Sequence, residues 1–179
     1  MADLSRDRRA PLLPTSPALQ PLPAATRHIL RGGPQIRLAA EQALRLALPA
    51  SACRAVAAHD RAALWLGPDE WLLISPEGSD DAAALGAALG EHPHSLVDVS
   101  HRQLGIELRG AHAATLLAAG CALDLDLNAF PVGMCTRTML GKAEIILWRT
   151  APEVFRIEVW RSFATYVAAF LEEAARGIA

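Results

Sequence analysis

From Leu96 to Arg161, apolar and polar positions alternate in short runs that are interrupted once by a helical period. In Gln103–Arg109, Leu104, Ile106 and Leu108 point to one side, and Gln103, Gly105, Glu107 and Arg109 to the other. Val154–Trp160 divides the same way, with Phe155, Ile157 and Val159 opposed to Val154, Arg156, Glu158 and Trp160. A period of two with one apolar face predicts half-buried antiparallel strands, not a parallel sheet covered on both sides.

The same reading predicts the other elements. His28–Arg31 is a short strand, and Pro34 opens a helix carried by Ile36, Ala39, Ala40, Ala43, Leu44 and Ala47 and closed by Pro49. Strands near Cys53–Ala57, Ala62–Leu66 and Glu70–Ser75 follow, the last two joined by the turn residues Gly67-Pro68-Asp69. Ser79 or Asp80 caps a helix that runs to about Gly90. Strands at Ser95–Val99 and Gln103–Arg109 precede a helix from about Ala111 to Ala119, with Gly120 in the left-handed cap position. After an irregular segment from Cys121 to Met134 come strands at Thr136–Leu140, Ala143–Arg149 and Val154–Trp160. The last helix is capped by Ser162 and carries the stripe Phe163, Tyr166, Val167, Phe170, Leu171 and Ala174.

Residues 1–26 differ from the rest. They hold five prolines (Pro11, Pro14, Pro17, Pro21, Pro23) and no amphipathic period, which predicts an extended arm without its own core. One reading is a disordered tail; the other is an arm lying on another subunit, kept open by Leu12, Leu13, Leu19 and Leu22, which are more apolar content than a solvated tail needs.

An internal repeat constrains the fold further. His28-Ile29-Leu30-Arg31-Gly32 matches Ile106-Glu107-Leu108-Arg109-Gly110, and the hairpin Leu64–Trp71 matches Leu147–Phe155 with one extra residue in the turn. Each copy runs strand, helix, three strands, helix. The expected fold is therefore α+β: a two-layer, mostly antiparallel sandwich with helices on one face, built from two pseudo-symmetric repeats. Residues 27–179 are expected to form one domain of two halves, about 27–91 and 95–176.

Composition narrows the function classes. A net charge of −2 with no basic run among aromatics gives no support to nucleic-acid or polybasic membrane binding. Cys53, Cys121 and Cys135 are odd in number and far apart, which argues for a reducing compartment and against a zinc site. No apolar run approaches the roughly 18 residues of a membrane span. No signal-peptide core is evident, and Asp3 and Asp7 count against a mitochondrial transit peptide, so a cytoplasmic location is expected. The mean hydropathy of +0.21, although inflated by alanine, is consistent with a surface that a partner covers.

Candidate chemistry is sparse. Asp98, Ser100 and His101 suggest a triad, but adjacent side chains of an extended segment point apart and no base is placed to activate the serine. His92 and His94, with His101 near, supply too few converging ligands for a metal. Asp124 and Asp126 lack the further acids and the glycine of a calcium loop. No glycine-rich phosphate loop follows a strand. The four tryptophans, Trp65, Trp71, Trp148 and Trp160, all fall on expected strands, where core or rim packing accounts for them. Trp148 with Arg149 and Trp160 with Arg161 are also candidate subunit-interface anchors.

The segments Leu64–Leu72, Val97-Asp98-Val99-Ser100-His101-Arg102, Thr136–Ile145 and Val159-Trp160-Arg161-Ser162-Phe163-Ala164 together resemble the gamma subunit of heterotetrameric sarcosine oxidase, over about residues 28–172. The second half is more distantly similar to the folate-binding domain of the glycine-cleavage aminomethyltransferase, where a D-x-S-H segment opens the corresponding strand pair. The resemblance implies a non-catalytic assembly subunit of a four-chain complex that oxidises sarcosine to glycine, with alpha, beta and delta subunits as partners. It implies that FAD, FMN, NAD, folate and zinc belong to those other chains, and that this chain carries no cofactor, metal or catalytic residue. The alternative is an independent folate-binding or aminomethyltransferase-like domain. The aminomethyltransferases have a G-G-x-I-D-D type strand, however, and the equivalent run here, Gly141–Leu147, has no aspartate. Glu144, longer and shifted, would miss the geometry that proton transfer requires.

Overall fold

A computed structural model describes residue 16 and residues 18–178. In chain order the first half holds β1 (Leu19–Pro21), β2 (Ala25–Gly32), α1 (Pro34–Leu44), β3 (Ala55–Ala58), β4 (Arg61–Gly67), β5 (Glu70–Pro76) and α2 (Asp81–Leu89). Then follow β6 (His94–Asp98), β7 (Gln103–Arg109), α3 (Ala113–Ala118), β8 (Cys135–Leu140), β9 (Ala143–Ala151), β10 (Val154–Trp160) and α4 (Arg161–Arg176). The chain is α+β, with two antiparallel five-stranded sheets, and it divides into two compact units. One unit is Ala25–Ser100; the other combines residues before Ala25 with those from His101 onward.

In the unit Ala25–Ser100 the strand order is β3-β4-β5-β2-β6. Pro34 does begin α1, but the helix ends earlier than the apolar period suggests, because Arg45 turns left-handed at φ 51°. That exit swings Leu46 and Leu48 inward, where they join Ile36, Ala40 and Leu44 against Leu30, Trp71 and Leu73. Leu85 and Leu89 of α2 enter the same cluster, so both helices lie on one face of this sheet. Full burial of each such side chain contributes about 1.5–3 kcal/mol. Neither Ser79 nor Asp80 caps α2 through its side chain. Asp81, in the first turn, fixes the helix instead: it accepts from Arg61 at 2.8 Å and also from the Ser75 hydroxyl. Burial pushes the Asp81 carboxyl up, but hydrogen bonds from Arg61 and Ser75, with the Arg61 charge, outweigh it and hold the group below its ordinary value.

In the other unit the order is β1-β7-β10-β9-β8. The apolar face of β7 and β10 is realised, with Ile106, Leu108, Phe155, Ile157 and Val159 essentially inaccessible in one core, but Gln103 and Glu158 on the opposite face are buried as well. β1 was not expected. Leu19–Pro21 pairs antiparallel with Leu108–Ile106, so part of the proline-rich segment is an edge strand with Leu19 buried. Ala25 and Thr26, at the end of the expected arm, belong to β2. Residues 1–15, including Leu12 and Leu13, lie outside the described residues.

Two further corrections concern helices. Ser162 lies inside α4, which has Trp160 at its cap position and no side-chain cap. The buried positions of α4 are Ala164, Val167, Ala168 and Leu171, while Phe163 stays 40% exposed. The buried stripe is thus centred on the alanines, which let helix and sheet approach closely, and the aromatic residues flank it. Gly120 is not a left-handed cap, since its φ is not positive. It is required for space: a Cβ there would stand 2.5 Å from Phe170 Cζ and 3.0 Å from the Gly141 nitrogen.

Candidate functional site

The expected D-x-S-H segment is a structural clasp. β6 ends at Asp98, whose Oδ1 accepts the Ser100 N–H at 2.8 Å, a local turn of the kind aspartate favours. The buried Ser100 hydroxyl accepts the Arg27 N–H at 2.8 Å and can donate to the Arg27 carbonyl at 3.4 Å. One lone pair and its proton are therefore taken up by backbone, and His101 is exposed beyond it. His94 turns its Nδ1 to the carbonyl of His92, 2.7 Å away, and both rings are exposed. Among the described residues no group of three or more His, Cys, Asp or Glu side chains is arranged to hold a metal.

The irregular segment after α3 is organised from within. Asp124 Oδ1 accepts the Asp126 N–H at 2.9 Å, and Asp126 Oδ1 accepts the N–H and the side-chain amide of Asn128, each at 2.8 Å. The backbone and then the side-chain hydrogen bond from Asn128 hold the Asp126 carboxyl below its ordinary value. Arg149 closes the loop from the sheet side. Its Nη1 donates to the Phe130 carbonyl at 2.6 Å, its Nη2 donates to that of Leu125 at 2.8 Å, and its guanidinium lies 4.4 Å over the Phe155 ring. Burial pulls the Arg149 pKa down, opposed by the charge of Asp126. Arg149 is only 2% exposed, and Trp148 beside it on β9 is 9% exposed.

Trp160 and Arg161, the other candidate pair, are brought to a different place. β10 runs into α4 there, and the register sets Trp160 opposite Gln103. The Arg161 N–H donates to the Arg102 carbonyl at 2.7 Å, and its Nε donates to that of His101 at 3.0 Å. The Arg102 guanidinium lies 5.0 Å over the Trp160 ring, which is 41% exposed. Phe163, three positions on in the first turn of α4, is also exposed. The strand–helix junction thus presents Trp160 with one cation stacked on it, and Phe163 one turn on. Sequence reasoning reached Trp160 and Arg161 but missed Arg102 and Phe163. The register of β7 against β10 brings Arg102 in, and no local pattern announces that pairing. Of the remaining candidates, Leu19 is buried, Leu22 is half-buried, and Trp71 is a core residue whose indole donates to the Pro49 carbonyl at 2.8 Å. Glu144 is exposed on β9.

Two cavities of about 340 and 260 Å³ adjoin on the same unit and share Ala18, Leu116 and Ala175. Their walls are mainly apolar, with Arg109 and His112 at one and Glu172 at the other.

Comparison with known proteins places this geometry. The family model described as the sarcosine oxidase, gamma subunit family matches residues 31–177. Sarcosine oxidase subunit gamma of Corynebacterium sp. strain P-1 is 40% identical over 113 residues, 63% of this chain and 56% of the relative. That of an Arthrobacter species is 43% identical over 97 residues, 54% of this chain and 48% of the relative. The aligned part thus spans about half the length of these curated relatives. Among solved structures, a chain of heterotetrameric sarcosine oxidase from Corynebacterium sp. U-96 superposes with a TM-score of 0.83 at 31% identity, covering 87% of this chain and 82% of that one. Aminomethyltransferase T of the glycine cleavage system from Bartonella henselae superposes at 0.62 and 15% identity, covering 86% of this chain and 44% of that one, and shares the fold alone.

Proposed function

The chain belongs to the sarcosine oxidase gamma subunit family, and we propose that it serves as the non-catalytic gamma subunit of a heterotetrameric, cytoplasmic sarcosine oxidase. In this reading alpha, beta and delta subunits carry the flavins, NAD, folate and zinc, and the complex oxidises sarcosine to glycine. The observation that carries the proposal is the close superposition, over most of both chains, on a subunit of a heterotetrameric sarcosine oxidase. The side chains that invited a catalytic or metal-binding reading support it in another way, because Ser100, Asp98 and Asp126 are engaged in holding backbone. The rival reading, an independent folate-binding domain, has only the shared fold behind it.

The finer features of the fold are part of the proposal. The strand orders β3-β4-β5-β2-β6 and β8-β9-β10-β7-β1 correspond position by position, which supports a duplicated unit as the origin of the chain. Trp160 and Arg161 serve as the exposed partner contact, with Leu12 and Leu13 of the arm as a second one. Leu19, Leu22, Trp148 and Arg149 act from inside the chain, by shaping the surface that is presented.

Co-expression with the neighbouring oxidase subunits tests the proposal. Stoichiometric recovery of this chain, free of flavin, within an active sarcosine-oxidising complex is the expected result. Recovery of the chain alone, with the remaining subunits fully assembled and active, would overturn it.

A further inference from the structure

Arg102 is a cation without a carboxylate partner among the described residues. It is half-buried, its Nε is inaccessible and without a hydrogen-bond partner among the described residues, and its guanidinium lies over the face of Trp160 at 5.0 Å. Other arginines find acceptors: Arg61 has Asp81, Arg156 has Glu158, Arg37 has Glu41, and Arg149 has two carbonyls. The backbone that carries it is also tied down, because the Arg102 carbonyl accepts the Arg161 N–H at the start of α4. Trp160 and Phe163 expose 41% and 40% of their surfaces on the same strand–helix junction.

A planar guanidinium stacked on an indole has its donor fork fixed in direction and loses little freedom on pairing, and the group that matches that fork is a carboxylate. Exposed tryptophan beside arginine is also the pairing enriched at the centres of protein interfaces. Resting on the subunit reading above, the geometry points to Arg102, Trp160 and Phe163 as a docking patch for an acidic segment of a partner subunit. One Asp or Glu of that segment takes the Arg102 fork, and an adjoining apolar side chain covers the two rings. The occupant is acidic because the Arg102 guanidinium pairs with no carboxylate among the described residues.

The test measures binding of the full-length chain to the assembled remainder of the oxidase, at two salt concentrations, for wild type, Arg102→Met, Arg102→Lys, Trp160→Ala and Leu38→Ser. Leu38, 50% exposed on α1 in the other unit, is the control. Arg102→Met keeps the apolar stem, and its unfolding midpoint is checked first. Loss of one partner of a desolvated charge pair predicts binding weaker by about 30-fold or more, with a flatter salt dependence. Arg102→Lys recovers part of the affinity, Trp160→Ala also weakens it, and Leu38→Ser leaves it unchanged. Wild-type binding with Arg102→Met equal in affinity and salt dependence overturns this inference while leaving the subunit reading intact. A loss confined to Trp160→Ala overturns the carboxylate. Self-association of the chain that Arg102→Met abolishes assigns the patch to a second copy and overturns it as well. Failure of the wild type itself to bind removes the subunit reading and the inference with it.

Discussion

Replacing Arg149 by methionine isolates what a buried cation contributes to the loop between α3 and β8. The substitution keeps the stem over Phe155 and removes two donors, leaving the carbonyls of Leu125 and Phe130 unpaired in a buried setting. A hydrogen bond from a charged donor contributes about 1.5–3 kcal/mol. Part of the sum is returned, because burial already disfavours the charged guanidinium, as its lowered pKa records. The expected net loss is about 2–4 kcal/mol. At roughly 2–4 °C per kcal/mol for a chain of this size, the unfolding midpoint falls by about 4–16 °C. Hydrogen exchange locates the effect. The amides of Phe130, bonded to the Asp126 carbonyl, and of Gly133, bonded to the Arg149 carbonyl, exchange faster, whereas those of β4 and β5 do not. If unfolding stays within about 0.5 kcal/mol of wild type, the size of an inconsequential surface change, and loop exchange is unchanged, the turns at Asp124 and Asp126 support the loop alone and the reasoning fails.

Three further predictions concern other parts of the fold. Gly141 is left-handed at φ 58°, and a Cβ there would collide with the Tyr166 hydroxyl that accepts the Lys142 N–H. Gly141→Ala alone is therefore expected to cost about 2 kcal/mol from strain and crowding, and Tyr166→Phe about 1 kcal/mol from the lost hydrogen bond. The double variant loses less than their sum, and additive urea unfolding energies would contradict this. Asp81 has a folded pKa below its unfolded value near 4, so its contribution is complete above that value and is lost as pH falls through the folded pKa. Asp81→Asn should flatten the acid limb of the unit Ala25–Ser100, and an unchanged limb would refute the assignment. Leu171→Ala should destabilise by about 2–5 kcal/mol and Phe163→Ala by less than about 0.5 kcal/mol; the reverse order in thermal melts would restore the aromatic stripe as the buried face of α4.

Where interactions were periodic and local, the sequence was a sound guide. The alternation in β7 and β10 and the turn Gly67-Pro68-Asp69 needed only neighbouring residues to be read. β1 failed because three residues ending in proline carry no period, and they become a strand only when β7 supplies their partners. The buried face of α4 departs from its bulky stripe because small side chains can be buried as fully as large ones, and Ala164 and Ala168 are inaccessible beside Val167. Arg149 looked like an interface anchor by residue type, since its acceptors are main-chain carbonyls that no side-chain pattern displays. The Arg102–Trp160 stack was hidden for the same reason as β1: it follows from strand register across a long separation.

The early synthesis of β1 sets an order of events on the ribosome. Leu19 emerges long before Leu108, the residue it sits beside, and the whole of the unit Ala25–Ser100 is made in between. At about 5–20 residues per second, that leaves an apolar strand waiting roughly 5–20 s for its sheet. The contiguous unit can complete itself during that interval, while the interrupted one is finished only when α4 has been made. A chain stalled before β7 therefore exposes a half-built sheet edge in which Leu19 has no partner strand.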